Sequence, residues 1–401
     1  IKLLANGDIS LINGALVTAT GNGGGGIEIL GDRVSITDGS GIVSNTTGSE
    51  LGREVLINAS QLTLTDGAVV LAGTLGEGGG GSLTLNASES VQVIGTAADG
   101  ELPSILTAQT LGKGNAGNLT IRTPKLLIID GAQVNANTFS EGAGGNLTVE
   151  AAESVTVMGE SADGEFASSL ATQADQRSAG NAGNLTISTP TFVITDGAFV
   201  STRTLSEGDG GSLTVNASES VQVIGRSAND EFASFLSTNT EGKGNAGNLI
   251  INTSTLLIAD GAFVDADTFG EGAGGSLMVD ATESVQVIGE SADGKFASAL
   301  TAQTEGQGNA GNLTISTPTL LIADGALVSA STLGEGDGGI LTVNASKSVQ
   351  VIGESVNGRS SSAIATQSQG KGNAGDLTIT TQRLLVVNGG FISTSAFREG
   401  A

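Results

Sequence analysis

The residues best suited to chemistry in this chain are its carboxylates, and they recur at fixed positions. Glu77, Glu141, Glu207, Glu271, Glu335 and Glu399 follow one another at a repeating spacing, and Asp209 and Asp337 stand two residues after their glutamates. A hard cation such as calcium takes oxygen ligands, which makes Glu207, Asp209, Glu335 and Asp337 the metal candidates. Calcium, however, needs about six to eight oxygens. Carboxylates borne on every second layer of a stacked sheet stand about 10 Å apart, too far to share one ion. The Gly-rich nonapeptide of calcium-binding β-rolls is also missing. The acids therefore read as a solvated surface that opposes aggregation, and no cofactor is expected. A second row, Asp38, Asp66, Asp130, Asp196, Asp260 and Asp324, could serve general acid–base work on a polysaccharide. Each of these is followed by Gly, as a tight turn requires. A catalytic constellation would gather different residue types at one place, and none does. The expectation is a chain without catalytic residues.

Composition narrows the classes further. The 401 residues include 63 Gly and 11 Phe but no Cys, His, Trp or Tyr. That excludes thiol nucleophiles, disulfides, zinc fingers and a Ser-His-Asp triad. Acids outnumber bases 41 to 16, so a phosphate backbone is a poor partner and no nucleic-acid binding is expected. No apolar run approaches the roughly 18 residues of a membrane-spanning helix. The opening IKLLANGDIS starts inside a pattern and carries no signal peptide, so an internal or processed segment is expected.

The elements that position these residues come from a repeat. GNAGN or a near copy begins at Gly114, Gly180, Gly244, Gly308 and Gly372, at intervals of 66, 64, 64 and 64. Each period holds two units. Anchoring them on Leu83, Leu119, Leu147, Leu185, Leu213, Leu249, Leu277, Leu313, Leu341 and Leu377 gives steps that alternate between about 28 and 36. Stepping back by 28 reaches Val55 and Ile27, so about thirteen units are expected. Residues 1–82 read as shorter, more divergent units and 83–401 as the regular repeats. Within a unit, short runs with period-two alternation are bounded by turn residues, the signature of strands. From Leu313, "LTI" alternates, Pro318 ends the run, "LLIADG" follows, and "ALVSAST" alternates again. Three short strands per unit and almost no helix are predicted.

One such unit cannot bury enough apolar surface to hold its own chain, so the units must stack and share a core. The resulting fold is an all-β parallel β-helix, right-handed by the crossover rule, some 60 Å long at about 4.8 Å per coil. The longer coils carry about eight extra residues, as in "GESADGEFAS" and "GESADGKFAS", which makes a row of loops on one edge. Phe166, Phe232 and Phe296 lie in these loops and are expected to fold back over it. Alternation also assigns an outward Thr rank. It predicts two outward apolar ranks as well: Leu127, Val193, Leu257, Leu321 and Leu385, alternating with polar residues, and Val69, Phe199, Phe263, Leu327 and Phe391. Exposed apolar stripes mark interaction surfaces, so lateral packing or partner docking is expected there. Stacked Asn118, Asn184, Asn248 and Asn312 are positioned to hydrogen-bond from coil to coil.

Tandem units such as "GNAGNLTISTPTLLIADGALVSASTLGEG" followed by "DGGILTVNASKSVQVIGES" resemble the repeats of filamentous-haemagglutinin-like exoproteins of filamentous cyanobacteria, which are exported by two-partner secretion. The resemblance covers nearly the whole chain, most specifically from Leu51 onward. It implies a secreted or cell-surface fibre or adhesin shaft, an outer-membrane secretion pore as export partner, and no shared catalytic residues. Both ends stop within the pattern, so flanking parts of a longer chain or end-to-end stacking of copies is expected. The alternative class is a module that binds extracellular polysaccharide or another cell surface. A polysaccharide-acting enzyme ranks below both.

Overall fold

A computed structural model describes residues 1–176 and 178–397, in which there are 28 strands and no helix. Two compact units divide the chain, residues 1–190 with 198–211 and residues 191–197 with 212–401. Each unit is a parallel β-helix. From Val55 onward each coil gives one long strand to one sheet and one short strand to the other.

In the first unit Val55, Leu83, Leu119 and Leu147 lie in register on successive long strands. In the second unit Leu213, Leu249, Leu277, Leu313, Leu341 and Leu377 do the same. The anchors read from the repeat are thus true structural equivalents. The N-terminal coil is slightly shorter than the spacing implied, because Lys2 pairs with Glu28. The second coil interrupts its long strand at Gly31 and Asp32, giving Ile27–Leu30 and Arg33–Ile36.

The expectation of three strands per unit needs correction. The first two runs fuse into one strand of 11 or 12 residues, such as Leu313–Ala323 and Leu341–Ile352. Pro318 does not end the strand; the ladder changes register between Thr317 and Thr319 and resumes. A proline removes one donor but keeps an extended φ, so at an irregularity where no N–H is needed it is tolerated.

Alternation sets the core. In one coil Leu313, Ile315, Leu320, Ile322 and Val328 point inward with no exposure, and like residues lie above and below them. The Asp-Gly corner is built as anticipated. Asp324 and Gly325 both have positive φ, 56° and 89°, and Ala326 N–H donates to Ala323 C=O, a type I′ geometry. The Gly325 N–H donates to the Ser362 hydroxyl (3.0 Å), which itself donates to Ile352 C=O (2.8 Å). This serine pins the root of a loop to the turn of the preceding coil.

The opposite corner is a glycine-rich arc. A Cβ on Gly308 or Gly336 would overlap the carbonyl oxygen of the glycine one coil below, Gly272 or Gly308. Backbone packs directly on backbone there, which is why GNAGN tolerates no side chain at these positions. Buried threonines hold the arc from inside: the Thr268 hydroxyl donates to Ala273 C=O (2.9 Å) and the Thr366 hydroxyl to Gly375 C=O (2.7 Å). The asparagines act as expected, accepting backbone N–H groups of the next coil. Asn118 Oδ1 accepts from Asn146, Asn248 from Ser276 and Asn312 from Ile340, each at 3.0 Å.

Candidate functional site

The metal candidates stand on the glycine arc, and the structure gives two of them other work. Glu335 pairs with Lys371 on the next coil at 2.6 Å, and Lys113 with Glu141 at 3.8 Å. The bond from Lys371 holds the Glu335 carboxyl below the usual range and raises the Lys371 ammonium. Asp337 accepts from the Asn373 backbone N–H (2.7 Å) and from its side-chain amide (3.3 Å). Asp209 is tied by its own N–H to Asn181 Oδ1 (2.9 Å), while Glu207 lies exposed on the same coil. Glu399 lies outside the described residues. Among the described residues no three carboxylates converge as cation ligands. Since Lys371 lies 36 residues after Glu335, coil length alone puts them side by side.

Both apolar ranks face outward, and the register interrupts them. Leu257 lies between Gln222 and Gln286, Leu321 between Gln286 and Gln350, and Leu385 beside Gln350. In the other rank Ala299 separates Phe263 from Leu327, and Ala363 separates Leu327 from Phe391. In the first unit Phe199 pairs with Ser169. These side chains are half-buried by their neighbours, and only Phe391 is exposed. Phe235, absent from the rank as read from sequence, stacks on Phe263 with ring centroids 4.9 Å apart and planes 6° from parallel.

The more exposed apolar column lies elsewhere, just before the glycine arc. In the first unit Phe139 is 38% exposed there, and in the second Phe269, Leu333 and Phe397 are 42%, 40% and 58% exposed. It escaped the alternation argument because it sits at a corner, outside any period-two run. Its signal was the recurrent "TFSEG", "TFGEG" and "TLGEG". Beside it lie two acids, one buried and one half-buried. Asp265, 4% exposed, accepts from the Ser237 hydroxyl. Asp267 accepts from the Gln303 N–H (2.6 Å) and the Thr301 hydroxyl (3.0 Å). Burial, aided by the charge of Glu305, pushes the Asp267 carboxyl up to about 7.

The loops occur on every second coil as predicted, beginning one repeat earlier than the quoted examples, and each is a miniature hairpin. Glu160 bridges Ala167, Arg226 bridges Ala233 and Glu290 bridges Ala297, all antiparallel. Neighbouring loops touch. In the second unit the Arg226 guanidinium lies over the Phe296 ring, 3.9 Å from its centroid, and also pairs with Asp230. Asn357 Nδ2 donates to Gly294 C=O at 2.9 Å. Phe166 and Phe232 are half-buried, in keeping with folding back over the edge, whereas Phe296 stays 44% exposed beneath Arg226. Lys295 bonds the Asp293 carboxyl and holds it far below the ordinary range.

Comparison with protein-family models, curated proteins and solved structures finds no match to this chain. The class that the fold defines is therefore the parallel β-helix solenoid.

Proposed function

We propose that this chain is a non-catalytic structural shaft, secreted or displayed at the cell surface, whose loops and outward columns serve assembly or adhesion. The observation that supports this reading is the uniform register. The same residue types occupy the same corners coil after coil, and charged side chains pair between neighbouring coils, as Lys371 does with Glu335. Work divided equally among coils suits a spacer. The resemblance of the repeats to filamentous-haemagglutinin-like exoproteins adds the location and an outer-membrane pore as export partner. Protease treatment of intact source cells tests it: release of peptides from this chain is expected. Peptides recovered only after lysis would overturn the surface location.

A second reading, a module for extracellular polysaccharide, is favoured by the outward polar face of the long strands. There Thr314, Thr342 and Thr378 stand in register, as do Ser316, Asn344 and Thr380. A glycan array separates the two, since a shaft alone selects no glycan.

A further inference from the structure

The loops of the second unit share one knot of hydrogen bonds. In the last of them Asn357 Oδ1 accepts from the Ser355 hydroxyl (2.9 Å) and from the Arg359 N–H (2.8 Å). Asp293 accepts the same two bonds from Ser291 and Lys295, and Asn229 accepts them from Ser227 and Glu231. Of these three side chains, Asn357 is the amide that is followed by glycine; Asp230 follows Asn229. Its Nδ2 also donates to the Gly294 C=O of the neighbouring loop (2.9 Å), so this amide latches two loops together. Asn357, Gly358 and Arg359 are all exposed, and nothing stands within 4 Å of the place a Gly358 Cβ would take. Neither a side chain of its own nor a neighbour crowds the Gly358 backbone.

We propose that Asn357 is a site of spontaneous deamidation, which turns the latch into a carboxylate and parts the two loops. Once a base in solution has removed its proton, the Gly358 nitrogen attacks Asn357 Cγ. The N–Cγ bond forms, the Cγ–Nδ2 bond breaks, and Nδ2 takes up a proton and leaves as ammonia. Water then opens the cyclic imide at either carbonyl, giving aspartate or isoaspartate; one water is consumed for each ammonia released. Negative charge develops on Oδ1 during the attack, where the Ser355 hydroxyl and the Arg359 N–H already donate, so the loop stabilises the step. The Gly358 N–H donates to Ser355 C=O (2.8 Å), a bond internal to the loop, so freeing this nitrogen disturbs no ladder between coils. Asn13 of the first unit, also followed by glycine, is the contrast. It sits in a corner at φ 56°, and its Gly14 N–H donates to Asp38 C=O of the next coil (2.9 Å). An aspartate fits the loop, as Asp293 demonstrates, but at position 357 it would set an acceptor against the Gly294 carbonyl where Nδ2 donated.

The test incubates the whole chain at mildly alkaline pH and follows each Asn-Gly segment by mass spectrometry, with the free peptides GESVNGRSSS and SLINGALV as references. Asn357 is expected to convert less than about tenfold more slowly in the folded chain than in its peptide, and Asn13 more than about tenfold more slowly than in its own. Isoaspartate should appear beside aspartate. Greater protection of Asn357, or equal protection of the two asparagines, would overturn the site, and aspartate alone would overturn the imide route. Asn357→Asp supplies one product directly and should speed amide exchange within 290–297 by about threefold or more while the long strands stay slow. Unchanged thermal unfolding establishes that this variant folds; unchanged exchange in 290–297 would overturn the parting of the loops.

Discussion

Two corners of the coil solve the same stacking problem differently. At the glycine arc, coils meet backbone to backbone, and Gly308 has the carbonyl of Gly272 where a side chain would be. At the loop corner, coils meet through side chains: Arg226 on Phe296 and Asn357 on Gly294. A backbone contact has no rotamers with which to adapt, so it should be intolerant of change; a side-chain contact can be remade. Spacing is regular where packing is rigid, and loop sequences vary where it is not: "SADGEF", "SANDEF", "SADGKF" and "SVNGRS" occupy one place.

The largest effect that would break this contrast is at Gly308. Gly308→Ala should destabilise the fold by about 3 kcal/mol or more by urea unfolding, because the Gly272 backbone of the coil below must move. Gly358→Ala in a loop meets no atom within 4 Å and bears only the strain of φ +67°, so about 1 kcal/mol is expected. Equal losses at the two sites would erase the distinction. Asn312→Ala removes the acceptor for the Ile340 N–H and should lower stability by about 1 kcal/mol. Arg226→Ala should have a comparable or smaller global effect, about 0.5–1 kcal/mol, with its main signature local. Amide exchange should quicken within 225–234 and 289–298 and remain slow in the long strands.

An effect read against pH sharpens the picture of the arc's approach. Asp267 titrates at about 7 in the folded chain, against an ordinary value of 3.8. Between these values the folded state holds a proton that the unfolded chain has lost. Stability contributed by this carboxyl is therefore greatest near pH 4, falls as pH rises toward 7 and is lowest above it. Asp267→Asn should flatten that slope; identical pH profiles for the variant and the parent chain would remove Asp267 as its source.

Most of the fold was legible because its causes are local. Alternation in "SVQVIG" and "LTLTDG" marks inward residues, and Asp-Gly marks a turn that needs two positive φ angles. The ladder role of Asn118, Asn248 and Asn312 followed once coils were known to stack in register. The candidate site was far less legible. Phe199, Phe263, Leu327, Leu257, Leu321 and Leu385 were correctly placed outward, but exposure depends on what stands above and below, and those neighbours half-bury them. Phe269 and Leu333 were in plain view in the recurrent "TFGEG" and "TLGEG" but lay outside any period-two run.

Spacing and alternation by themselves determined a parallel β-helix, its coil equivalences and its loop-bearing coils. Side-chain period and turn chemistry are properties of a few consecutive residues, repeated often enough to be counted. Only the tertiary structure decided which columns are exposed, that Lys371 neutralises Glu335 and that Arg226 caps Phe296. Those outcomes depend on residues 28 or 36 positions apart meeting across a coil, a contact that no local pattern records.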